Sequence, residues 1–376
     1  LRILIAPDSF KESLSASQAV RAIARGVSQV FPGARCTHLP FSDGGEGAFD
    51  LLTIIKLGQT VITQTTDPLN RELRAPIFVF NDEKTAWIEL SQASGLALLN
   101  AQEKNPIETT TFGTGLQILA ALDRGIQKII IGIGGSATHD LGMGIFAALG
   151  GKILDQNHRP IPNKGGGLSQ AAVIDTTLLD PRIKKTTFIF ASDVTNPLLG
   201  PLGAATVYAP QKGARPDQIS IIESYTKNMA ALIEMKTGTN IASISGGGAA
   251  GGTAAGLLPF LNASLCPGFE LLASFSQLDE KIKAADLIIT GEGHLDEQTF
   301  YGKLISQIAS RARDHQKPVW AYAGSVSASQ ENCLAHGIQK AFSITPQTMD
   351  FEMAKKQAAT LLEQKVVQTL KKTKWQ

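Results

Sequence analysis

Both ends of this chain alternate short apolar runs with amphipathic helical segments, and the middle does not. Leu1–Ala6 reads as a strand. Ser15-x-x-Gln18 then forms a capping box, and Val20, Ile23, Val27 and Val30 recur at helical spacing before Pro32-Gly33 ends the helix. Cys36–Pro40 reads as a second buried strand, and Ala48–Leu57 as a second helix. From Asp286 onward the pattern returns, with strands at Asp286–Thr290, Val319–Ala323 and Ala341–Ile344. Helices near Lys303–Asp314 and Ser327–His336 lie between them, and a last helix covers Phe351–Leu370. In the middle, Val61–Thr66, Ala75–Phe80 and Thr85–Leu90 are β-rich and separated by Asp67-Pro68-Leu69-Asn70 and Asn81-Asp82, the pattern of an antiparallel meander. Helices at Gly113–Asp123 and Asp217–Lys236 and strands at Lys128–Ile131 and Thr187–Ala191 follow. The alternation predicts an α/β chain whose two ends, 1–60 and 280–376, form one five-stranded doubly wound parallel sheet. An α/β domain with a mixed sheet, 61–279, is inserted between them. The 376 residues accommodate two domains, since single cores rarely exceed about 250–300 residues.

A formal charge of +2 gives no electrostatic reason to expect nucleic acid or an anionic membrane as partner. Three cysteines, odd in number and far apart, argue against a disulfide framework. No run approaches the roughly 20 apolar residues that span a bilayer, and Leu1–Ala6 is too short for a signal-peptide core. A soluble, cytoplasmic protein is the expectation.

Three apolar runs empty into loops where carboxylates sit beside glycine or lysine: Pro7-Asp8-Ser9-Phe10-Lys11, Ser42-Asp43-Gly44-Gly45-Glu46-Gly47 and Gly291-Glu292-Gly293-His294-Leu295-Asp296. Parallel sheets bind ligands at the carboxyl ends of their strands. Acids without Cys or His ligands suit Mg²⁺ and a phosphate, because hard cations take oxygen donors. Lys11 and the Asp8-Ser9 backbone are therefore candidates to hold a phosphate or a carboxylate, with Asp8 binding metal or positioning a proton. Gly44 and Gly45 permit close approach of a ligand between Asp43 and Glu46. Some of Asp43, Glu46, Glu292 and Asp296 are expected to hold the ion, with Lys303 nearby. Gly132-Ile133-Gly134-Gly135-Ser136-Ala137-Thr138-His139-Asp140 follows a strand and offers two readings. Gly134, Gly135 and the Ser136 and Thr138 hydroxyls fit ATP phosphates. Gly132-x-Gly134-x-x-Ala137, with Asp155 at the spacing of a ribose-binding acid, also matches the fingerprint of an NAD(P)-dependent oxidoreductase. Asp193 follows another apolar strand and is a candidate base or metal ligand. Gly246–Gly252 suits either close approach to a nucleotide or helix packing. A complete Walker A motif and the protein-kinase signature set are both missing.

Seven ordered segments resemble the bacterial glycerate kinase family, the glycerate 2-kinase-like type that is neither P-loop nor protein-kinase-like. They are Ala6–Lys11, Asp43–Gly47, Gly132–Asp140, Asp193–Gly200, Pro210–Ala214, Ala249–Gly252 and Gly291–Gln298. The resemblance implies a flavodoxin-like domain joined to a second α/β domain, and phosphorylation of D-glycerate with ATP and Mg²⁺, leaning toward the 2-hydroxyl. It implies catalytic roles for Lys11, Asp43 and Asp193, metal ligation by Glu46, Glu292 and Asp296, and substrate or phosphate binding by Asp8, Ser9, Gly44, Gly45, Gly134, Gly135, Ser136, Thr138 and Lys303. His139 stands where the family usually has Asn, and His294 where it usually has Arg.

Overall fold

A computed structural model describes all residues except 11–12, 43–46, 301, 347 and 374–376. Its strands are β1 (Arg2–Ile5), β2 (Arg35–His38), β3 (Gly58–Thr66), β4 (Glu72–Phe80), β5 (Thr85–Glu89), β6 (Lys128–Gly132), β7 (Lys152–Leu154), β8 (Val173–Asp175), β9 (Thr187–Ala191), β10 (Ala263–Cys266), β11 (Leu287–Leu295), β12 (Val319–Val326) and β13 (Lys340–Ser343). The chain divides into two compact units. Leu1–Asp43, Asp50–Ile55 and Phe269–Gln376 form the first; Gly44–Phe49 and Lys56–Gly268 form the second.

In the first unit five parallel strands run in the order β2-β1-β11-β12-β13. Counted along the unit this is 2-1-3-4-5, the flavodoxin order. Both chain ends thus build one doubly wound sheet. Ile3, Leu4, Ile5, Ile288 and Ile289 are almost wholly buried, as strands covered on both faces require. The helix Ala16–Val30 begins at the expected capping box: Gln18 N–H donates to Ser15 Oγ at 3.2 Å, and Ser15 N–H donates to Gln18 Oε1 at 2.8 Å. Its Val20, Ile23 and Val27 share a core with Leu362, Val366 and Leu370 of the terminal helix Phe351–Lys372. Two expectations change. The second strand is largely exposed, because it forms the edge of the sheet beside β1. The segment expected to be a loop after Thr290 is strand as far as Leu295, because β12 continues alongside it and pairs Glu292 with Ala323 and Leu295 with Val326.

The second unit is built on a six-stranded mixed sheet, β10-β9-β6-β5-β4-β3. The meander is present: β3, β4 and β5 are antiparallel, and β5, β6, β9 and β10 are parallel. Its turns have local causes. Asp67 accepts from the N–H groups of Leu69 and Arg71 at 2.8 and 3.0 Å, and Asp82 from those of Lys84 and Thr85 at 2.9 and 2.8 Å. The pair β7-β8 stands apart as a two-stranded sheet. No helix among the described residues is long and apolar enough to cross a membrane.

Candidate functional site

In the first unit strand order reverses between β1 and β11, and ligands of flavodoxin-type sheets bind at that point. After β1 the chain passes through Ala6-Pro7 to Asp8-Ser9, and Asp8 N–H donates to Gly291 O at 2.8 Å, so this turn lies beside Glu292. Phe10, 1% exposed, anchors the turn, and Ser9 N–H donates to Asp8 Oδ1 at 2.6 Å. Beyond Glu292, one hydroxyl joins two carboxylates: Thr299 Oγ1 donates to Glu292 Oε1 at 2.7 Å and lies 3.4 Å from Asp296 Oδ1. Lys303 Nζ is 3.4 Å from the same Asp296 oxygen. His294 Nε2 lies 3.7 Å from Asp296 Oδ2, while its Nδ1 meets Ser325 Oγ at 2.6 Å. Partial burial opposes ionisation of Asp296, but the Lys303 ammonium, hydrogen bonds from Lys303 and Thr299, and the His294 ring hold its pKa below the ordinary carboxylate value. Asp8, Ser9, Glu292, Asp296 and Lys303 are thus gathered on one rim. Lys11, Asp43, Gly44, Gly45 and Glu46 lie outside the described residues.

In the second unit the loops after β5, β6 and β9 leave from the carboxyl ends of adjacent strands. The loop after β6 is held on one side by Ala137 N–H donating to Ser94 O at 2.9 Å and Leu96 N–H donating to Gly135 O at 2.9 Å. On the other side Lys212 Nζ donates to Ser136 Oγ at 2.7 Å and Thr138 O at 2.6 Å. Gly135 is exposed and Gly134 half-buried, whereas Ser136 is 8% exposed and Thr138 lies fully buried beneath them. His139 is buried too, with Nε2 2.9 Å from Thr226 Oγ1; burial, helped by the Lys212 charge, pushes its pKa down to about 3. Asp193 follows β9 and is half-buried.

Several residues important to this rim carried no assigned role in the sequence. Asp140 accepts from Thr111 N–H and Oγ1, both at 2.8 Å, and from Gly142 and Gly144 N–H, both at 3.1 Å. Burial pushes its pKa up while those donors pull the other way. Glu89, 1% exposed at the end of β5, accepts from Phe49 N–H at 2.9 Å and Gln92 Nε2 at 3.1 Å. An acid ending a strand was the available signal for Glu89; the burial of Lys212 had none. The glycine run has a packing role. A Cβ on Gly251 would lie 2.3 Å from Thr138 O, and one on Gly248 2.3 Å from Pro197 O. Leu141 N–H donates to Gly251 O at 3.1 Å, and Gly248 N–H to Asn196 O at 3.0 Å. The run is therefore wedged between the loops that follow β6 and β9.

The dinucleotide reading meets a different geometry. A Rossmann turn opens directly into its helix, but the next helix here is Met143–Ala148, beyond Leu141 and Gly142. Asp155 follows β7, outside the six-stranded sheet, and accepts from Asn157 and Arg159 N–H in its own turn, both at 2.8 Å.

The model of the glycerate kinase family matches residues 3–374. The chain belongs to the glycerate kinase family. It is 44% identical over 362 residues to the glycerate kinase of Halalkalibacterium halodurans, covering 96% of this chain and 95% of that one. It is 41% identical to the glycerate 2-kinase of Escherichia coli K12, covering 92% and 90%. A crystal structure from Salmonella typhimurium LT2, assigned as glycerate kinase 2, superposes with a TM-score of 0.81 at 38% identity, over 99% of this chain and 97% of that one.

Proposed function

We propose that this glycerate kinase family member transfers the γ-phosphoryl group of ATP to the 2-hydroxyl of D-glycerate, in the cytoplasm and with Mg²⁺. The observation that carries this reading is the family match along nearly the whole chain. The acids at the strand-order reversal support it.

The residues present fit a hard divalent ion. Glu292 and Asp296 converge on one hydroxyl and offer only oxygen donors. Among the described residues no three His, Cys, Asp or Glu side chains form a cluster that suits a metal ion. Mg²⁺ usually binds one or two carboxylates together with substrate phosphates and water, not an all-protein cage. Glu292 and Asp296 are therefore assigned to hold it; Glu46, outside the described residues, is a ligand only as the family resemblance implies. An ion held by these carboxylates would supply positive charge to offset that of the substrate phosphates.

The remaining roles are assigned from residue chemistry and from the family resemblance. Lys303 lies beside Asp296 and keeps that carboxylate ionised while adding a cation for a phosphate oxygen. Lys11 neutralises phosphate or the glycerate carboxylate, and the Asp8-Ser9 turn orients the acceptor. Asp43 or Asp193 accepts the hydroxyl proton. The exposed Gly134–Gly135 tip and the Ser136 hydroxyl bind phosphate oxygens, with Thr138 supporting them from below.

ADP release measured with the purified protein tests the reading. Release is expected only when ATP, Mg²⁺ and D-glycerate are all present. Release that ignores glycerate, or none at all, contradicts it.

A further inference from the structure

Lys212 is 2% exposed and among the largest fully buried side chains of the molecule. Removing an ammonium from water costs several kcal/mol unless it is well paired. Its hydrogen-bond partners are neutral, Ser136 Oγ and Thr138 O. Burial pushes its pKa down to about 7, with the Asp140 charge acting in the opposite direction. A position that only had to fill space would carry an apolar side chain.

The segment that presents Lys212 is rigid. Pro210–Lys212 is a single 3₁₀ turn, closed by Gly213 N–H donating to Pro210 O at 3.0 Å and Ala214 N–H to Ala209 O at 3.1 Å. The helix Pro216–Thr237 follows, and it grips the same loop. Tyr225 Oη donates to His139 O at 3.1 Å, and Thr226 meets the His139 ring. Residues 136, 138 and 139 are thus fixed from one side, while Ser94, Leu96 and Thr109 fix 135 and 137 from the other. What remains outward is Gly134–Gly135. When protonated, an ammonium bonded to Ser136 and Thr138 in that loop is shielded from water, where its field is screened least.

We propose that Lys212 is a positioning residue for nucleotide binding: it fixes Ser136 and Thr138 so that the Gly134–Ser136 segment is set to receive polyphosphate, and it places positive charge under that segment. This rests on the reading of the loop as the phosphate site. The charged and titratable groups coupled to Lys212 are Asp140 and His139, and neither contributes a second cation at neutral pH, because Asp140 is an acid and burial holds His139 neutral.

The test compares wild type, Lys212→Met and Lys212→Gln as full chains. Affinity for a non-hydrolysable ATP analogue is measured by calorimetry, and KM is measured separately for ATP and glycerate. In Lys212→Met the analogue affinity is expected to fall tenfold or more and KM for ATP to rise equally. KM for glycerate should stay within twofold and kcat within fivefold. Lys212→Gln keeps a donor but no charge, and should fall between the two. Equal analogue affinity in wild type and a folded Lys212→Met, or equal rises in both KM values, overturns the proposal. Should Lys212→Met not fold, wild-type affinity in Lys212→Gln overturns it. A wild type that fails to bind the analogue overturns the phosphate-site reading as well, so the two failures are distinct.

Discussion

Replacing Gly251 by alanine isolates the packing between the glycine run and the loop after β6. Gly251 sits at φ +65°, where a side chain costs about 1 kcal/mol. The added Cβ would lie 2.3 Å from Thr138 O and 2.6 Å from His139 Cα. Both are backbone atoms of a loop held by Lys212 and Tyr225, so neither can retreat freely. Overpacking of this kind costs about 1–3 kcal/mol more. The total of about 2–4 kcal/mol corresponds to a Tm fall of roughly 4–16 °C for a unit of this size. Gly200→Ala is the control. That glycine also has positive φ, +92°, but no atom within 4 Å of its Cβ position. It should lose only the backbone contribution, about 1 kcal/mol, or roughly 2–4 °C. Differential scanning calorimetry of the full chain reads both at the transition that both substitutions move. Equal shifts for the two variants would refute the claim that the glycine run is wedged against Thr138 and His139.

Two further outcomes follow from the rims. Asp140→Asn exchanges one acceptor oxygen for an amide N–H₂ among donors, leaving a buried N–H unpaired and three hydrogen bonds without their charge; thermal stability should fall by about 2–4 kcal/mol. A stability unchanged within 0.5 kcal/mol, on the order of a neutral surface substitution, would show that those bonds do not hold the loop. Glu292→Gln and Asp296→Asn should each raise the Mg²⁺ concentration for half-maximal activity about tenfold or more, a loss of about 1.4 kcal/mol. Glu297→Gln, whose carboxylate instead accepts from Ser329 N–H at 3.3 Å and Asn332 Nδ2 at 2.6 Å, should leave it within about twofold. Identical Mg²⁺ titrations for all three would remove Glu292 and Asp296 from the metal site.

Local chemistry was legible in the sequence. The Ser15–Gln18 capping box, the Asp67 and Asp82 turns and the apolar runs of β1, β6 and β9 each act within a few residues, so spacing exposes them. The alternation at both ends also carried the five-stranded parallel sheet, because βαβ units joined by right-handed crossovers build one, while its flavodoxin order was implied only by the family resemblance. What was not legible depends on distant partners. Gly291-Glu292-Gly293 reads as loop because glycine and acids are depleted in strands, yet Tyr322–Val326 supplies its ladder. Nothing local in Pro210-Gln211-Lys212-Gly213 marks Lys212 as buried; its partner Ser136 lies 76 positions away. Asp140 looks like one more acid in a glycine-rich loop, and only the fold shows that its oxygens are spent on Thr111, Gly142 and Gly144. The Gly132–Ala137 pattern fits a dinucleotide fingerprint letter for letter, but that fingerprint presupposes an immediate helix and a second strand in the same sheet.

³¹P NMR of the protein incubated with ATP, Mg²⁺ and D-glycerate tests the proposed phosphoryl transfer most directly. Loss of the ATP γ-resonance should be matched by growth of a phosphomonoester coupled to the C2 proton of glycerate, as in 2-phosphoglycerate. Inorganic phosphate as the sole new signal, a phosphomonoester at C3, or an unchanged spectrum would contradict the account.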